Sequence, residues 1–96
     1  MGALNQTKAG SYTGTGAAQT ITLGFEPKAV IVMNTTDGDA VTLHFDGMTD
    51  ATAITITTAA AAVASGGITL TSRGFTVGTD ASVSESAKVF AYLAIN

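Results

Sequence analysis

Three places in the sequence carry residue types and spacings that could do chemistry. The first is "GSYTGTGAAQTITLGF", residues 10–25, where Gly10, Gly14 and Gly16 fall close together. A glycine-rich loop cradles phosphate when it leads from a strand into a helix whose N–H groups point at the anion, and a nucleotide loop adds a lysine followed by serine or threonine. No lysine follows these glycines. A dinucleotide loop needs a third glycine where Gln19 stands, and a helix where "AAQTITLGF" alternates like a strand. The stretch therefore predicts a flexible arm and a glycine turn into a strand.

The second place is Asp37 and Asp39, spaced like the start of a calcium loop. Such a loop wants glycine at its sixth position and glutamate at its twelfth. Counting from Asp37, those positions hold Thr42 and Met48, so a hairpin turn accounts for both aspartates and no metal site is predicted. The third is His44, the single histidine, with Asp46 two residues on. A Ser-His-Asp arrangement also needs a positioned serine, which this spacing does not supply. His44 is expected on the exposed face of a strand. With no cysteine, thiolate catalysis, disulfides and Cys-based zinc sites are absent from the repertoire. No catalytic residue, cofactor or enzymatic activity is predicted.

The elements that would position these groups follow from composition and period. Ninety-six residues suffice for one domain. Hydrophobic residues make up 46% and charged residues only 11%, less than half the usual share of charge, so Thr, Ala, Ser and Gly must cover the surface and burial against other subunits becomes plausible. The net charge is −3 and the four basic residues Lys8, Lys28, Arg73 and Lys88 are scattered, which argues against nucleic acid, whose phosphates demand clustered cations. No run approaches the roughly 18 apolar residues of a membrane span. "MGALNQTKAG" lacks the apolar core of a signal peptide, so synthesis in the cytoplasm without secretion is expected.

Apolar and polar residues alternate along most of the chain, the period of a half-buried strand. In "VTLHFD" the pattern puts Val41, Leu43 and Phe45 inward and Thr42, His44 and Asp46 outward. "KAVIVMN" and "KVFAYLAI" are apolar on both faces, which predicts central strands covered on each side. Asp37 with Gly38 and Asp46 with Gly47 suit tight turns, and Gly66, Gly67 and Gly74 mark later reversals. The expectation is an antiparallel β-sandwich or jelly-roll-like barrel of about seven to eight short strands. Residues 1–16 form a flexible arm and residues 17–96 one domain. Its core comprises Val30, Val32, Val41, Leu43, Phe45, Phe75, Val89, Ala91 and Leu93. "TTAAAAVASGG", residues 57–67, is open between a two-turn helix, capped by Thr58 and stopped by Gly66, and an extended segment.

Two blocks, "GSYTGTGAAQTITLGFEPKAVIVMN" and "GFTVGTDASVSESAKVFAYLAI", cover about half the chain. Together they resemble a β module of tailed-bacteriophage virion proteins, in which a glycine-flanked "Y-T-G" precedes a strand and "LGF-x-P-x-x-V". In that module "GF-x-V" later leads to a final strand ending "Y-x-A". The fixed points are mostly glycine and core positions, which specify a fold more than an activity. The resemblance implies a structural role in tail fibres, head fibres or capsid decoration. With no coiled coil, repeat or linker attached, the chain is most similar to a small decoration (cement) protein that binds the assembled head and bridges capsomers. The implied partner is the major capsid protein, the implied location the capsid surface, and the implied state a homo-oligomer, a trimer by analogy with threefold shell positions. The alternative is a fibre module binding host-surface carbohydrate or receptor.

Strand edges without charges to blunt them give a separate physical reason to expect assembly. The candidate assembly contacts are Leu4, Tyr12 and Thr13 in the arm, Ala60 and Ala62 in the alanine run, and Tyr92, with both tyrosines placed at the surface while the phenylalanines pack the core.

Overall fold

The computed structural model describes residues 6–38 and 40–96 and is all-β. Eight antiparallel strands form one sheet curled over its own core. They are β1 (Thr7–Thr13), β2 (Gln19–Thr22), β3 (Ala29–Asn34), β4 (Val41–Phe45), β5 (Thr52–Ile56), β6 (Ala60–Thr71), β7 (Gly74–Val77) and β8 (Val89–Ile95). One helical turn, α1 (Ala81–Ser84), precedes β8 and is capped by the Asp80 side chain, which accepts from the Ser82 N–H. The spatial order is β1-β8-β3-β4-β5-β6-β7-β2. Consecutive hairpins build the run from β3 to β7, while β8 inserts between β1 and β3.

Residues 7–13, expected within a flexible arm, are instead an edge strand paired along its full length with β8. Its few apolar residues suffice because the ladder satisfies its backbone and Tyr12 points into the core. The Tyr12 ring stacks on Phe90 at 5.3 Å and its hydroxyl donates to the Val83 carbonyl at 2.7 Å. The core thus starts at Tyr12 rather than Ile21, and residues 7–16 are not dispensable to it. Burial holds the Tyr12 phenol above its ordinary value, which favours the neutral form in the native state. Stability from this group is complete below the unfolded phenol value near 10 and falls as pH rises past it. Tyr12→Phe is therefore expected to lose about 1 kcal/mol at neutral pH. It should also show a shallower decline in stability above about pH 10 than the parent, as read by denaturant titration at stepped pH.

Of residues 57–67, which left helix and extended structure open, 60–67 are strand and 57–59 a bend leading into it. Ala62 pairs with Ile54 and Ala60 with Ile56, so the β5 ladder overrides alanine's helical preference over a run too short to hold a helix. Gly66 and Gly67 do not reverse the chain. They belong to residues 64–67, which bulge out of register between Val63, opposite Ala53, and Ile68, opposite Thr52. Gly66 takes φ of +73°, and a Cβ on Gly67 would press into the Thr52 backbone. The Asp37 and Gly38 turn does join β3 to β4, with Asn34 buried beneath it and its Oδ1 accepting from the N–H groups of Thr36 and Asp37.

Val30, Val32 and Phe75 are buried as the pattern predicts, but β4 and β8 face the other way. Thr42 and His44 point inward, Val41 and Leu43 are half-buried, and Phe45 is 47% exposed. In β8, Phe90, Tyr92 and Ala94 fill the core, while Ala91 and Leu93 are half-buried and Val89 is exposed. Two polar side chains can turn inward because the interior supplies partners. The Thr42 hydroxyl lies 3.2 Å from that of Thr55, and His44 Nδ1 donates to the Thr52 carbonyl at 2.7 Å. In β8 both faces are apolar, and the aromatic set, larger in area, takes the core.

Candidate interaction surface

Of the glycines in residues 10–16, Gly10 and Gly14 serve packing, while Gly16 supplies a positive φ of +78°. Gly10 lies against the Tyr92 ring, and a Cβ on Gly14 would collide with the Glu85 carbonyl and the Phe90 ring. The Gly14 N–H donates to the Lys88 carbonyl at 2.8 Å and the Gly16 N–H to the Ser84 carbonyl at 2.7 Å. Those N–H groups are committed to the chain's own backbone rather than aimed at a ligand. Asp37 is likewise committed, accepting from Asn34 Nδ2 and from Lys88 Nζ, each at 3.2 Å. Asp39 lies outside the described residues. Asp46 pairs loosely with Lys28 at 3.8 Å on the surface, while His44 is buried against Thr52, so the two form no dyad. Among the described residues no three His, Asp or Glu side chains converge, and no helix is long and apolar enough to cross a membrane.

What the topology does assemble is a broad outer face. Directly opposed residues of an antiparallel ladder share a face. The registers place Ile31 and Met33 of β3 beside Leu93 and Ala91 of β8 on one side, and beside Leu43 and Val41 of β4 on the other. Val41 and Leu43 in turn oppose Ile56 and Ile54 of β5, and beyond them stand Ala60 and Ala62. At the β1 side, Ala9 opposes Leu93 and Thr13 opposes Val89. Among the described residues no charged one stands in this face. Met33, Phe45, Ile56, Val89 and Ile95 are the large apolar side chains it exposes most, at 38 to 47%. A groove of about 250 Å³ crosses it between β3 and β8, lined by Ile31, Met33, Ala91, Tyr92 and Leu93.

Of the residues singled out for assembly, Thr13, Ala60 and Ala62 lie on this face. Tyr12 and Tyr92 do not: both are buried in the core, Tyr12 on Phe90 and Tyr92 edge-on to Phe75 at 5.3 Å. Leu4 lies outside the described residues. The central members Ile31, Met33, Val41, Leu43, Ala91 and Leu93 escaped sequence reasoning, which assigned four of them, Val41, Leu43, Ala91 and Leu93, to the core. The available signal was the apolar character of "KAVIVMN" and "KVFAYLAI" on both faces: both strands were expected to be covered on two faces, and the chain covers one. No family model, curated protein or solved structure matches the chain.

Proposed function

We propose that the chain is a structural virion protein of a tailed bacteriophage, a capsid decoration protein that binds the assembled head and restrains neighbouring capsomers. The observation that carries it is the uncharged apolar outer face, which gives the chain a surface for joining into the homo-oligomer that would decorate the shell. Contiguous exposed apolar surface marks a contact site, and a face spread over five strands suits a protein partner. Two features support the reading further. The polar groups that might have held a ligand are committed to turns and ladders, and the motif positions Gly14, Gly74, Phe75, Tyr92 and Ala94 are all buried packing positions. The protein acts in this role by adhesion alone, as a homo-oligomer on the capsid surface.

The test is to mix purified protein with heads lacking it and measure occupancy, position and rupture temperature. Saturable binding to the shell and a higher rupture temperature are expected, because a ligand bound only to the intact shell shifts its equilibrium against disruption. Location on tails, with no binding to heads, would replace decoration by the fibre role.

A further inference from the structure

We propose that the outer face of β1, β8, β3, β4 and β5 is covered by a second copy of the same chain. Three observations argue for a like partner. The first is size. Strands about 4.8 Å apart, with residues rising about 3.4 Å each, give five strands of five to seven residues a footprint on the order of 500 Å². Its protruding side chains raise the accessible area toward the roughly 800 Å² per partner of a stable interface.

The second observation is charge. The face itself carries none, and each end of the strip is closed by one cation with one anion. Lys28 with Asp46 stands where β3 begins and β4 ends, and Lys88 with Asp37 where β3 ends and β8 begins. Each of these pairs bears both signs, so two copies laid face to face can set opposite charges against one another at the rim. A foreign partner is ordinarily selected by complementary charge, which this face does not offer. The third is relief. Small Ala91 leaves the groove between β3 and β8, while Phe45 stands out from the neighbouring strand as the most exposed large apolar side chain. The face thus carries both a knob and a hollow, the self-complementarity that contact between identical copies requires.

This inference deepens the oligomeric part of the proposed function and rests on the face being a protein contact, not on the virion assignment. Sedimentation of the purified full chain across a wide concentration range, without particles, tests it. The parent should sediment as a dimer or a closed higher oligomer, and either mass supports the proposal. Met33→Glu and Phe45→Glu, both at exposed positions, should keep the parent's circular dichroism and weaken association by about 100-fold or more, since each places an unpaired charge in the contact. Thr20→Glu, on the free edge strand β2, should leave the mass unchanged. A variant-free measurement runs alongside: peroxide oxidation of Met33 should slow several-fold as protein concentration rises.

A monomer at every concentration overturns the proposal. So does an oligomer that survives both face substitutions with Met33 equally reactive, or one lost in Thr20→Glu and kept in Met33→Glu, which would mean edge pairing. A monomer that still occupies heads overturns this inference and leaves the decoration reading standing; an oligomer that binds no head does the reverse.

Discussion

Phe90→Ala is expected to lower the unfolding free energy by about 3–5 kcal/mol, whereas Phe45→Ala in the dilute chain should change it by less than about 1 kcal/mol. Phe90 is fully buried and stacked on Tyr12, on the strand next to the β1 edge. Deleting its ring leaves a cavity that the flanking strands cannot close, since β8 is held on both sides by β1 and β3. Phe45 is 47% exposed and loses little burial on truncation. Small domains are stable by about 5–15 kcal/mol, so the first substitution consumes a large share of what is available. Urea titration of both variants at low concentration checks the contrast. Equal losses would mean that β4 presents the opposite face.

Gly14→Ala is expected to cost about 3 kcal/mol or more, against about 1 kcal/mol for Gly24→Ala. The added methyl at Gly14 meets the Glu85 carbonyl, and the Phe90 ring edge lies 2.9 Å from it. Neither can yield cheaply. The Glu85 backbone ends α1, and the Gly14 backbone is tied to it through the Lys88 carbonyl and the Ala87 N–H. Gly24 has φ of +92° with nothing within 4 Å of an added Cβ, so its cost is confined to the backbone conformation. Thermal melts of the two variants separate steric exclusion from conformational preference. A Gly14→Ala protein as stable as Gly24→Ala would contradict the close approach of α1 to β1.

The all-β architecture and the Asp37 turn were legible because alternation and turn residues are local signals. Which side of a strand meets the core was not, and "VTLHF" shows why. Period two says that Val41, Leu43 and Phe45 share a face and that Thr42 and His44 share the other, but it is silent on which face closes over the core. That choice depends on partners far along the chain, Ser82 at the start of α1 and Thr52 on β5, whose carbonyls lie within hydrogen-bonding distance of the two polar side chains. Residues 7–13 misled for a related reason: composition registers what a segment can bury alone, and β1 is held by a ladder to β8 that no local window contains. The interaction face was half visible. Strands apolar on both sides pointed to cover on both sides, and what stayed hidden was that the chain provides only one of the two covers.

The insertion of β8 between β1 and β3 also sets a schedule. The hairpins from β3 to β7 join neighbours in sequence and can form as they emerge, whereas β1 finds its partner only when β8 arrives, and the bond from Tyr12 to Val83 spans 71 positions. Closure over such separations places the chain among slow folders, on the order of milliseconds to seconds. Until β8 docks, the outer face is split, because β8 supplies the strip between β1 and β3. The surface that makes the protein adhesive is therefore completed by the same event that completes the fold, and a half-made chain has nothing coherent to stick with.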